Sequence, residues 1–149
     1  MGAVFTHAFI AATLVAPSPH TLAQTLSVIE RGSFSTSLST FPRFETTYKR
    51  QFPELDWTTD FCSSPLVGNT GRSFNFTMPC RRHDFGYRNF KMMSRATGIN
   101  FWTGDLRLKV DNQFYNDMLT TCEPRGIYQR LNCRAWARTF YELVRSLGS

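Results

Sequence analysis

Histidine is scarce in this chain, with only His7, His20 and His83 in 149 residues. Proton-transfer chemistry near neutral pH therefore has few side chains to draw on. No apolar run approaches the ~20 residues that a bilayer-spanning helix needs. There is no C-x-x-C pair, so a structural zinc site lacks its usual ligand spacing. Without a G-x-S-x-G elbow, a serine nucleophile of the common hydrolase type is also disfavoured. Internal repeats, low-complexity runs and strand alternation are missing, although residues 72–76 read as briefly extended.

Residues 1–23 lack any Lys, Arg, Asp or Glu. An apolar run from Ala8 to Ala16, the helix breakers Pro17 and Pro19, and small residues around Thr21 to Ala23 read as a secretory signal peptide spanning 1–23. An exported, extracellular protein is expected, with 126 of the 149 residues in one mature domain. Cys62, Cys80, Cys122 and Cys133 form an even set, as expected of two disulfides in an oxidising compartment. Four cysteines permit three connectivities, and the short loops favour Cys62 with Cys80 and Cys122 with Cys133.

The formal charge is +6, and 14 of the 17 basic residues are arginine. Such an excess suits an anionic membrane, a nucleic acid or a polyanionic wall, or serves solubility alone. Residues 24–38 carry few large apolar groups and read as a loosely ordered lead-in or propeptide. A short helix is expected after Thr40, carrying Phe44 and Tyr48 and ending at Pro53. Residues 56–72 are loop-like, and Asn75-Phe76-Thr77 is a glycosylation sequon. Three longer helices follow, over about Pro79 to Ala96, Asp105 to Cys122 and Asn132 to Leu147. The fold class expected is all-α, a small helical domain built on a central antiparallel helix pair.

The densest chemistry lies at Cys80-Arg81-Arg82-His83-Asp84. At 100° per residue, His83 and Asp84 are neighbours around the helix, and Cys80 sits one turn earlier on the same side. A Cys62 to Cys80 bridge would draw the 56–61 loop alongside, so that Asp60 and Asp84 converge. Two carboxylates in a loop-lined spot suit calcium, with the Phe61 carbonyl as a further oxygen. The alternative is a plain Asp84 to Arg88 pair at i+4.

Asp111 stands within the apolar face formed by Phe114, Tyr115 and Met118, where an unpaired carboxylate is costly. His83 on an antiparallel neighbour is one donor for it, and an arginine is the other. Asp105 and Asp117 lie six positions away and point elsewhere on the helix.

Three motifs together resemble the compact, two-disulfide secreted phospholipase A2 family of bacteria and fungi. They are Asp-Trp-x-x-Asp-x-Cys at 56–62, Cys-x-x-His-Asp-Phe-Gly-Tyr-Arg-Asn at 80–89, and Asp-x-x-Phe-Tyr-x-Asp-Met at 111–118. The resemblance covers roughly residues 40–147 and implies a phospholipase A2-like domain over 39–149. It implies calcium-dependent hydrolysis of the sn-2 ester of glycerophospholipids at a membrane or micelle surface. By position, His83 matches the catalytic base, Asp111 its carboxylate partner, Asp84 and Asp60 the calcium carboxylates, and Phe61 the carbonyl donor. The Gly-rich calcium loop of the animal secreted enzymes is absent.

Two other functions compete, a catalytically weak lipid-binding or signalling protein on the same scaffold, and a cationic nuclease. The second would have to cleave with one histidine. For a phospholipase, Arg81, Arg88 and Arg95 recur every seven residues and could dock a monomer on anionic lipid, helped by Phe101 and Trp102. The competing account is a solvated arginine face with both aromatics in the core.

Overall fold

The computed structural model describes residues 20–61 and 74–147. Five α-helices make up the framework of these described residues: α1 (Leu22–Glu30), α2 (Phe41–Gln51), α3 (Thr77–Thr97), α4 (Gly104–Cys122) and α5 (Ile127–Leu147). A π-helical turn, Arg31–Ser35, continues α1, and no strand occurs among the described residues. The all-α expectation therefore holds.

Local chemistry accounts for the helix ends. The Thr21 hydroxyl accepts from the Gln24 backbone at 3.2 Å while the Gln24 side chain accepts from the Thr21 backbone at 2.9 Å, a reciprocal capping box. Thr103 caps α4 by accepting from the Leu106 N–H at 3.2 Å. Gly98, at φ 70°, closes α3 in the left-handed conformation that glycine adopts without a Cβ clash.

Residues 24–38 differ from the loose lead-in expected of them, because most of this stretch is helical and part of it is buried. Val28 and Ile29 join the core, and Gly32 and Ser33 are buried with them. Small residues are what let this segment approach α3. A Cβ on Gly32 would stand 2.5 Å from the Phe85 ring and 2.6 Å from that of Phe44. One on Gly86 would stand 2.8 Å from the Ser33 hydroxyl. The scarcity of large side chains here reflects close backbone approach rather than disorder. The cleavage site expected around residues 21–23 falls on the first turn of α1 and its cap, whereas residues 1–19 lie outside the described residues.

Helices α3 and α4 run antiparallel, since positions falling along α4 meet positions rising along α3. Arg82 faces Asp117, His83 faces Asp111, and Gly86 faces Val110. One apolar cluster, including Phe41, Phe44, Phe85 and Val110, joins α1, α2, α3 and the first half of α4. A second, including Phe76, Phe114, Met118 and Phe140, joins the start of α3 to α4 and α5. Within it Cys122 and Cys133 are bonded to each other, tying the end of α4 to the second turn of α5. Cys80 is disulfide-bonded as well; Cys62, the partner expected for it, lies outside the described residues.

Asp117 does leave the His83 face of α4, as its spacing requires, but it enters a second buried place instead of solvent. Arg82 and Asp117 are 3% and 4% exposed and stand 3.6 Å apart. The Arg82 Nε donates to the Ser33 carbonyl at 3.1 Å, and the Gln113 amide donates to Asp117 at 2.9 Å. Burial pushes the Asp117 carboxyl up, against the pull of Arg82 and Gln113. Removing one member of such a pair strands the other charge, at a cost of roughly 3–5 kcal/mol. Asp117→Ala is therefore expected to lower unfolding free energy by about that much in urea titrations. The double change Arg82→Met/Asp117→Leu should cost clearly less, and equal losses would show that the buried charge is not the cause.

Candidate active site

The second turn of α3 carries His83, and α4 brings Asp111 opposite it. His83 Nε2 and Asp111 Oδ1 are 2.8 Å apart, and Asp111 is completely buried. A carboxylate can only accept, so Nε2 carries a proton, and in the neutral imidazole Nδ1 then keeps its lone pair. The Phe114 ring, 4.8 Å from the imidazole by centroid, and the Tyr87 ring, 5.7 Å away, flank it.

Both donors considered for Asp111 are present at once. Its Oδ2 accepts from Arg145 Nη1 at 2.9 Å, with Arg107 Nε at 3.7 Å. Arg107 also donates to the Val144 and Arg145 carbonyls at 3.1 and 2.9 Å, which fixes the end of α5 over this carboxylate. Burial raises the Asp111 carboxyl, but the hydrogen bonds and charges of His83 and Arg145 outweigh it and hold the group below its usual range. Arg107, four residues before Asp111, was open to inspection as an i,i+4 partner. Nothing local marks Arg145, which arrives from the far end of another helix.

Asp84 faces the 56–61 loop. Its Oδ2 accepts from the Thr59 hydroxyl at 2.6 Å and from the Asp60 N–H at 3.1 Å. Burial raises the Asp84 carboxyl and the neighbouring Asp60 charge raises it further, with the Thr59 bond pulling the other way. The Asp60 loop and Asp84 do meet, but the Asp60 carboxylate turns to Arg88 Nη2 at 3.2 Å. Arg88 also donates to the Thr58 hydroxyl at 3.0 Å, so its partners lie in the loop. Phe61 is the one non-glycine among the described residues with positive φ, 55°, a conformation costing roughly 1–2 kcal/mol for an L residue.

Asn89 was overlooked as a positioning residue. Fully buried, it accepts from the Asp56 N–H and donates to the Asp56 and Phe85 carbonyls, all at 2.8 Å. Its signal was a polar residue on the inner face of a helix, two turns beyond Arg82.

Carboxylates are hard oxygen donors of the kind a divalent cation takes, and the charge of Asp60 acts on the Asp84 carboxyl. Among the described residues no three His, Cys, Asp or Glu side chains are grouped to hold a metal, so carbonyls or water would have to complete any such site.

The expected basic stripe is partly neutralised. Arg81 pairs with Glu45 and Arg88 with Asp60. Phe101 and Trp102 pack against the first apolar cluster, Trp102 edge-on to Tyr87 at 4.6 Å.

The family model described as prokaryotic phospholipase A2 matches residues 29–148. The chain belongs to the prokaryotic phospholipase A2 family. It is also 36% identical over 122 residues to a secretory phospholipase A2 of Beauveria bassiana, covering 81% of this chain but only 57% of that protein. A secretory phospholipase A2 of Arthroderma benhamiae is 35% identical over 125 residues, covering 82% of this chain and 78% of the relative. Among the described residues of this family member, no helix is long and apolar enough to cross a membrane.

The double engagement of Asp111 generates a prediction for this phospholipase A2 relative. In Asp111→Asn the single carbonyl oxygen is claimed by Arg145, which leaves the amide NH2 facing His83 Nε2. The imidazole should then switch its proton to Nδ1. Nitrogen NMR of labelled histidine is expected to report that change of tautomer, and an unchanged Nε2–H form would rule out the arginine as the controlling partner.

Proposed function

We propose that this chain is a secreted, calcium-dependent phospholipase A2 that releases the sn-2 acyl chain of glycerophospholipids. The observation that carries the reading is the His83 to Asp111 bond, which leaves Nδ1 as an unprotonated base, next in sequence to a carboxylate that meets the Asp60 loop. Family membership and the names of the two secretory relatives support it.

In this mechanism His83 Nδ1 takes a proton from water as that water attacks the ester carbonyl, and returns it to the departing lysophospholipid oxygen. Asp111 holds the imidazole in the working tautomer and stabilises the imidazolium. The hydrogen bonds of His83 and Arg145 keep Asp111 ionised, so it does not take the proton itself. Asp84, Asp60 and the Phe61 carbonyl would hold calcium, which when bound polarises the ester and offsets charge on its oxygen. The N-terminal segment would act as the export signal, and the mature chain would work as a monomer on an anionic phospholipid surface.

Fatty acid release from phospholipid vesicles should require calcium, and full release in excess chelator would sink the calcium assignment. His83→Ala is expected to abolish product while keeping the rise in melting temperature that calcium gives the parent. Asp84→Asn should lose both. The folded Asp84 carboxyl is raised above its unfolded value, so its ionised form opposes folding and stability falls as pH climbs through the folded value. Without calcium at neutral pH, Asp84→Asn should therefore melt no lower than the parent, because the amide oxygen can still accept from Thr59 and Asp60.

A further inference from the structure

Helix α5 carries two apolar faces. Cys133, Ala137 and Phe140 point into the second cluster. At 100° per residue, Ile127, Tyr128 and Leu131 fall on the opposite side of the helix. They are 68%, 86% and 62% exposed, three large apolar side chains gathered on the first two turns. Isolated exposed apolar residues are ordinary, but a contiguous group on one helix tip calls for an occupant.

Charge around the tip indicates what that occupant is. Arg130 and Arg134 flank it and share one carboxylate, Glu123. Arg130 and Arg134 lie at the border of the apolar arc, so their long side chains can hold an anionic head group while the apolar tips enter the layer beneath. The Cys122–Cys133 bond fixes the first turns of α5 against the end of α4, while the other end of the same helix reaches the site, where Arg145 bonds Asp111. On the α3 stripe Arg81 and Arg88 each have a carboxylate of their own, whereas Arg130 and Arg134 share one.

We propose that the tip of α5, through Ile127, Tyr128 and Leu131 with Arg130 and Arg134, is the surface by which this protein docks on an anionic phospholipid layer. The proposal rests on the phospholipase reading for its choice of partner, and identifies the part of the molecule that meets the lipid.

The test is sedimentation with vesicles of phosphatidylcholine and phosphatidylglycerol, in a His83→Ala background so that hydrolysis cannot alter the vesicles. Ile127→Ser/Tyr128→Ser/Leu131→Ser should weaken binding by about tenfold or more, with helical content and melting temperature unchanged. Arg130→Gln/Arg134→Gln should weaken it only for vesicles containing phosphatidylglycerol, and less as salt is raised. A Tyr128→Trp variant gives an independent readout, an added blue-shifted emission quenched by brominated lipid. Binding by the triple-serine variant equal to the parent, or no quenching of the added indole emission when the Tyr128→Trp variant binds, would overturn the proposal. Self-association of the parent that the triple-serine variant abolishes, with vesicle binding intact, would also overturn it by giving the patch to a second copy. Vesicle binding lost with the patch in a parent that releases no fatty acid would support the docking surface while removing the phospholipase reading.

Discussion

The seam between α3 and α4 holds buried charge on both sides, and the rest of the molecule is arranged around that constraint. Two consecutive residues of α3, Arg82 and His83, face two carboxylates of α4, Asp117 and Asp111. Ionised groups removed from water are tolerable only when partnered. Sliding either helix by a turn would break both pairings together, so register is held by charge as well as by shape. The π-helical turn supplies the Ser33 carbonyl to Arg82, and the end of α5 supplies Arg145 to Asp111. Elements from both ends of the chain thus complete the same seam.

The parts of the fold legible in the sequence were those governed by local pattern. The helices expected over about Asp105 to Cys122 and Pro79 to Ala96 match α4 and α3 to within about two residues at each end. Two misjudgements have physical causes. Residues 24–38 read as empty by apolar content, whereas Gly32 and Ser33 are buried through their smallness. Helix α5 begins at Ile127 rather than near Asn132, and the residues of its first turns lie off the apolar stripe that marks the rest of it. At the site, the meeting of His83 with Asp111 followed from an apolar face interrupted by a carboxylate. Arg145, 34 residues beyond Asp111, could not be found that way, since long-range partners leave no periodic trace.

The loop at 56–61 shows a different balance. It is fastened at both ends by groups on α3, with Asn89 holding Asp56 and Asp84 holding Thr59 and Asp60. Between those fastenings the chain keeps a raised carboxyl on Asp84 and a left-handed Phe61, both unfavourable in isolation. A site built for one purpose commonly retains strain that an idealised fold would discard. The buried amide of Asn89 allows this, because it secures the backbone without adding charge.

The bond from Arg82 to the Ser33 carbonyl spans 49 residues, while the Cys122–Cys133 bridge spans 11. A chain synthesised from its N-terminus therefore presents α1 long before the helix that receives it. Until α3 appears, the cluster of Val28 and Ile29 lacks its Phe85, Phe90 and Met93 members. The last residues made, by contrast, can close their own short loop at once, since the entropy lost in closure grows with loop length. The first helix made is thus completed by distant residues, and the last by a near neighbour.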